Sequence, residues 1–346
     1  MPLKKSRETL KAVLLDKTAP IESRPLRVAS VDVPSLSEEE VLVKIRACGV
    51  CRSNLHMIEG EWVKRGFPTK LPIIPGHEIV GTIDSISRGV EGLEVGERVG
   101  IQPLYHACGV CDYCLGGREN LCKRKVLTGQ SVDGGYAEYI KAPYRFVYKV
   151  PDNLDDLEAT PLFCPGVTAY KAVEYSDASL GKTVAIFGMG GVGQVALQMA
   201  KLRGAKVVAV SRSKKHLKVS SELGAHSVVS PEEEDIVKYF RRTNYADSSI
   251  VFAPYDRAIE EALKATKPGG IVVLGISGSI KEFPYYEEKI VKGTLIGTRK
   301  DMREVIKIAK DGGIRILVER HGLEEANEIL RRLKHSEIEG RAVLTP

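Results

Sequence analysis

The chain has 346 residues, a length that fits two domains, and 43% of them are apolar, so sizeable cores can form. It holds no apolar run of about eighteen residues and no apolar segment behind the charges of Met-Pro-Leu-Lys-Lys-Ser-Arg-Glu, so neither a membrane span nor a signal peptide is expected. The net charge of +6 is thinly spread, with acids interleaved as in Pro231-Glu-Glu-Glu-Asp, which argues against nucleic-acid binding; the expectation is a soluble cytoplasmic protein.

Residues 9–50 alternate apolar and polar positions, with Pro25, Pro34 and Ser35 as punctuation, and predict short antiparallel strands. Further strand-like runs follow at 79–86, 98–101 and 136–140, so the first 150 residues or so form a β-rich domain. Within it, Cys48-Gly-Val-Cys51-Arg-Ser53-Asn-Leu-His56 offers a thiolate, a hydroxyl and an imidazole in one short stretch. Gly76-His77-Glu78 comes next, and Leu162-Phe-Cys164-Pro lies far downstream. Cys51, His77 and Cys164 are expected to converge on one zinc ion, because three protein ligands with a free position make the catalytic arrangement of that metal. Cys48 reads as a small buried residue.

Cys108, Cys111, Cys114 and Cys122 fall within one loop. Two-residue gaps let neighbouring sulfurs face one ion, and four thiolates complete a tetrahedral structural site. Disulfides and redox thiols are the other readings of such a cluster, but in a cytoplasmic chain metal comes first.

The texture changes near Glu158, after which strand-like runs alternate with helical patterns as far as about residue 300. Thr183–Phe187 reads as a buried strand, 192–203 as a helix stopped by Gly204, 205–210 as a strand, and 214–223 as a helix stopped by Gly224. Strands near 227, 249 and 270 continue the pattern, which is that of a doubly wound parallel sheet. The tail adds helices near 301–311 and 323–334 and a final strand from Arg341.

Gly188-Met-Gly190-Gly191-Val192-Gly193 joins the first of these strands to a helix. Such glycines allow a tight turn, a close approach to pyrophosphate and close helix–strand packing, with the helix N-terminus favouring the phosphate charge. An NAD site usually ends the second strand on an acid. Here Ser211-Arg212-Ser213-Lys214-Lys215 stands there instead, so Ser211, Arg212 and Lys215 are expected to bind the extra phosphate of NADP. A ligand-free glycine turn and a solvated basic helix start are the plainer readings.

Together these motifs, with Asp133-Gly-Gly-Tyr-Ala-Glu-Tyr and Cys164-Pro-Gly-Val-Thr168, resemble the zinc-dependent alcohol dehydrogenases of the medium-chain dehydrogenase/reductase family over nearly the whole chain. The resemblance implies a GroES-like catalytic domain over 1–157 and 300–346, a Rossmann NADP-binding domain over 158–299, two zinc ions per subunit, and a homodimer or homotetramer. It implies Cys51, His77 and Cys164 as catalytic zinc ligands, Glu78 as a transient ligand, and Ser53 and His56 as a proton relay. Arg52 and Arg299 are implied at the cofactor pyrophosphate, Thr168 at the nicotinamide, and Trp62 in the substrate pocket. Where the family usually has aspartate behind the zinc histidine, this chain has Asn54, whose oxygen is expected to accept the imidazole N–H. Phe252-Ala-Pro-Tyr255 also departs from the family's acidic strand end and has no assigned role. The expected activity is hydride transfer between NADP(H) and an alcohol, aldehyde or ketone. The alternatives are a C=C reductase of the enoyl-CoA type, disfavoured by the intact metal ligands; a polyol dehydrogenase, disfavoured by Cys164; and a non-catalytic NADP sensor, disfavoured by the Ser53–His56 pair.

Overall fold

The computed structural model describes residues 8–67 and 69–346, so most of the segment read for a signal peptide lies outside the described residues. The chain divides into two compact units: 1–164 with 298–306 and 317–346, and 165–297 with 307–316.

The first unit is built on a seven-stranded sheet. Its order runs Val318–Gly322, Arg341–Thr345, Glu40–Gly49, Ile79–Ile86, Arg98–Ile101 and Val147–Lys149, with Tyr139–Pro143 pairing beside Glu40–Gly49. The central strand follows the period of two: Val43, Ile45 and Ala47 are buried, while Lys44 and Arg46 between them are exposed. The core gathered on this sheet includes Cys48, Met57, Ile58, Ile79, Tyr136 and Leu344. The C-terminal strand thus closes against the strand that leads into Cys51: Leu344 pairs with Cys48 and Val343 with Gly49.

The second unit is a six-stranded parallel sheet. Its elements are β1 (Thr183–Phe187), α1 (Gly191–Leu202), β2 (Lys206–Val210), α2 (Lys214–Glu222), β3 (Ser227–Val229), α3 (Ile236–Arg242), β4 (Ala246–Val251), α4 (Asp256–Ala265), β5 (Thr266–Leu274) and β6 (Ile290–Gly293). The sheet order is β3-β2-β1-β4-β5-β6, so the winding reverses between β1 and β4, where open sheets of this kind take their ligands. Val184 to Phe187 are fully buried, as expected for a strand covered on both faces. Residues 307–316 join this unit because Gln198 of α1 holds the backbone of Arg315 twice, at 2.9 and 2.8 Å. Among the described residues, no helix is long and apolar enough to cross a membrane.

Candidate active site

Cys51 ends an extended segment and caps the helix Arg52–Ile58, so Arg52, Ser53 and Asn54 make the first helical turn. That turn brings Ser53 Oγ to 3.1 Å from Cys51 Sγ and 3.3 Å from His77 Nε2. His77 lies just before the strand Ile79–Ile86, after Gly76, which has φ of 99°. A Cβ on Gly76 would also stand 2.6 Å from the Tyr136 ring, so glycine is needed there twice over. Cys164 follows a short 3-10 turn, Thr160–Phe163, and its sulfur lies 3.8 Å from that of Cys51.

The donor atoms of Cys51, His77, Glu78 and Cys164 lie within 4.8 Å of one another, and all four residues are buried. Soft sulfurs with an imidazole and a carboxylate suit zinc in both type and number. The Cys51 thiol is held well below its usual range, first by the hydrogen bond from Cys164 and then by the charge of Arg341. Burial raises the Glu78 carboxyl, and Arg341 partly offsets the effect. The guanidinium of Arg341 grips Glu78 through both of its oxygens, with Nε at 2.9 Å from Oε2.

Behind His77, Asn54 takes the opposite polarity to the one expected. Its amide nitrogen faces His77 Nδ1 at 3.3 Å. Its oxygen accepts from the Cys51 backbone N–H at 3.3 Å and from the Tyr136 hydroxyl at 3.4 Å. The helix cap holds the oxygen here; a zinc on His77 Nε2 would place the ring proton on Nδ1 and require the amide turned about, oxygen toward the imidazole.

The second cluster, Cys108, Cys111, Cys114 and Cys122, has its sulfurs 3.5–3.9 Å apart along the contacts between them. The backbone N–H of Val110 is the main cause that brings the Cys108 thiol down to about 5. Four sulfurs with no further donor fit a closed structural zinc site.

In the second unit, Gly188 turns with φ of 98° and donates its N–H to Val210 O at 2.9 Å. A Cβ on Gly193 would meet Gly188 O at 2.0 Å, whereas one on Gly190 would meet nothing within 4 Å. Close packing at Gly193 and open space at Gly190, beside the N-terminus of α1 where Gly191 and Val192 stand, fit a dinucleotide pyrophosphate. Ser211 and Arg212 follow β2, Lys215 lies in the first turn of α2, and Thr168 lies on the helix Pro165–Tyr175.

Residues 37–152 match the alcohol dehydrogenase GroES-like domain, and residues 191–311 match the zinc-binding dehydrogenase domain. An alcohol dehydrogenase of Geobacillus stearothermophilus is 45% identical over 327 residues, covering 93% of this chain and 96% of that protein. The chain belongs to the zinc-type alcohol dehydrogenases of the medium-chain dehydrogenase/reductase family. Among solved alcohol dehydrogenases, that of Aeropyrum pernix superposes with a TM-score of 0.89 at 33% identity, covering 97% of this chain and all of that one. An acetophenone reductase of Geotrichum candidum in complex with NAD gives 0.87 at 28% identity, covering 99% of each chain. A chain of Sinorhizobium meliloti 1021 described as a zinc-binding dehydrogenase, bound to NADP, gives 0.88 at 27% identity, covering 98% of this chain and all of that one.

Several residues of this alcohol dehydrogenase have protein partners of their own. Arg299 turns Nε and Nη2 to Glu119 at 2.8–3.1 Å and lays its guanidinium over Phe146, which ties it to the cysteine loop. Arg52 spends Nη2 on the carbonyls of Leu333 and Lys334, at 3.3 and 3.0 Å, near the end of the helix Ala326–Lys334. Trp62 donates its indole N–H to Ser53 O at 3.0 Å and packs edge-on to His56, so it braces the Ser53 turn. His56 Nδ1 lies 2.8 Å from Glu61 Oε2.

Sequence reasoning missed Arg341, Glu61 and Glu119. Only Glu61 carried a local signal, lying five residues beyond His56; Arg341 is brought to the site by strand pairing alone.

Proposed function

We propose that the chain is a zinc-dependent alcohol dehydrogenase that interconverts alcohols with aldehydes or ketones and prefers NADP(H). One observation carries this reading: the donor atoms of Cys51, His77, Glu78 and Cys164 converge within 4.8 Å, with Ser53 Oγ beside two of them. Cys51, His77 and Cys164 would hold the catalytic zinc, with Glu78 as a reserve ligand, and Cys108, Cys111, Cys114 and Cys122 a structural one. The zinc supplies Lewis acidity toward a substrate oxygen, and the nicotinamide supplies or accepts hydride.

The chain's own residues handle binding and the proton. Ser53 Oγ, fixed between Cys51 and His77, holds the proton at the substrate oxygen. His56 stands one turn further along the same helix, half-buried and with Nδ1 near the Glu61 carboxylate, and takes that proton outward. Gly188–Gly193 bind the pyrophosphate, Thr168 packs on the nicotinamide, and Ser211, Arg212 and Lys215 receive the NADP phosphate. Arg52 and Arg299 face the pyrophosphate in this reading, with the N–H groups that their present contacts do not use. Family resemblance supports a cytoplasmic homodimer or homotetramer.

The test is turnover of a panel of alcohols, aldehydes, enoyl thioesters and polyols with both cofactors, together with metal content. NADPH oxidation on aldehydes and two zinc ions per chain are expected. Ser53→Ala should lower kcat about 100-fold or more with the metal retained. Near-normal aldehyde reduction by Cys51→Ala or Ser53→Ala would overturn the proposal, as would turnover confined to enoyl thioesters or to polyols.

A further inference from the structure

The segments that follow β2 and β4 stand on either side of the glycine turn. In the sheet, Phe187 at the end of β1 pairs with Val210 on one flank and Val251 on the other. Backbone bonds tie the three strand ends together: Gly188 N donates to Val210 O at 2.9 Å, and the amides of Phe252 and Ala253 donate to Phe187 O at 2.7 and 3.0 Å. Arg212 leaves β2 two residues beyond Val210, and Tyr255 caps α4 four residues beyond Val251. Their strands are separated by β1 and so lie about 10 Å apart. Yet the guanidinium carbon of Arg212 sits 4.4 Å from the centroid of the Tyr255 ring. The two side chains therefore meet beyond the end of β1, where the winding of the sheet reverses.

The pairing leaves the arginine's donors open. Arg212 is exposed and, among the described residues, has no carboxylate partner, whereas Lys214 is paired with Glu233 at 2.8 Å. A guanidinium laid on a ring uses its face and keeps the N–H groups of its edge free for a forked contact with phosphate. Tyr255 is half-buried, and its backbone is fixed by Tyr255 N to Ala253 O at 2.9 Å and Ala258 N to Tyr255 O at 3.1 Å. The ring thus stands on a fixed stretch of backbone, beneath an exposed arginine.

We propose that Tyr255 is a positioning residue for cofactor choice: its ring holds the Arg212 guanidinium at the end of β1, ready to receive the 2′-phosphate of NADP. This rests on the NADP reading above. It also gives a role to the segment Phe252-Ala-Pro-Tyr255, where the family commonly has an acid. An exposed arginine without the ring must be ordered when the phosphate binds, and that ordering weakens the contact.

The test is equilibrium binding of NADPH, NADH and adenosine 2′,5′-bisphosphate to the full-length wild type and to Tyr255→Ala, Tyr255→Phe, Arg212→Ala and the Tyr255→Ala/Arg212→Ala pair. Wild type is expected to favour NADPH. Tyr255→Ala should weaken NADPH and the bisphosphate about 5- to 20-fold, the range of a partly desolvated cation–π contact, and leave NADH within about twofold. Tyr255→Phe should behave as wild type, because the ring face makes the contact. In the Arg212→Ala background the Tyr255→Ala change should have no further effect. Equal losses for NADPH and NADH would make Tyr255 merely structural and overturn the inference, as would unchanged NADPH binding or additive effects in the double variant. A wild type that binds NADH as well as NADPH would instead defeat the NADP reading itself, and this inference with it.

Discussion

Glu78 lies wholly inside the protein, and the guanidinium that balances it, on Arg341, is almost as deeply buried. Removing one partner of such a pair strands the other charge in a medium that cannot solvate it. Arg341→Met is therefore expected to cost about 3–5 kcal/mol of unfolding free energy, and adding Glu78→Gln should restore much of that loss. The urea midpoint with an unchanged m-value measures it; a loss below about 1 kcal/mol would show that the pair is dispensable. At this scale the sequence was legible wherever residue type and local spacing define a chemistry. Cys51 with Ser53, and the four cysteines of the loop, are of that kind. It was illegible where polarity depends on a second partner: the orientation of Asn54 follows from the Cys51 amide and Tyr136, which local sequence cannot weigh.

Helix α1 depends on one missing side chain. The Cβ of Gly193→Ala would be driven to 2.0 Å from the carbonyl oxygen of Gly188, a residue whose own N–H is held by Val210 O at the end of β2. Relief requires α1 to move off the strand, at a cost of about 1–3 kcal/mol for overpacking of this kind. Gly193→Ala should thus lower the melting temperature and weaken NADP binding about tenfold or more, the equivalent of about 1.4 kcal/mol. The zinc content of the cysteine loop, which lies in the other unit, should be unchanged by metal analysis. Gly190→Ala, with open space around its Cβ, should fold normally and lose only cofactor affinity. The helix stops were readable because Gly204 and Gly224 adopt φ of 83° and 81°, conformations that favour glycine. Strand β6 was not readable: it is an edge strand with mostly exposed residues, so it carries no apolar alternation.

All eight candidate metal donors fall in the first unit, while the glycine turn, Arg212 and Tyr255 fall in the second. Metal and cofactor should therefore stabilise different parts of the molecule. A ligand at 100 times its Kd adds about 2.7 kcal/mol to whatever unit binds it, provided the unfolded chain does not. The single tryptophan, Trp62, belongs to the first unit, so its fluorescence follows that unit alone, whereas calorimetry registers both. Chelation is expected to lower the transition seen by Trp62. Saturation with NADP should raise a calorimetric transition that Trp62 does not follow. If both treatments moved one common transition by like amounts, the units would melt as one, and ligand linkage would belong to the whole chain. In the sequence, the change from strand-rich to alternating texture falls near residue 158, whereas the second unit begins at Pro165. The assignment of 307–316 to the second unit escaped it, because that depends on Gln198 holding the backbone of Arg315 far along the chain.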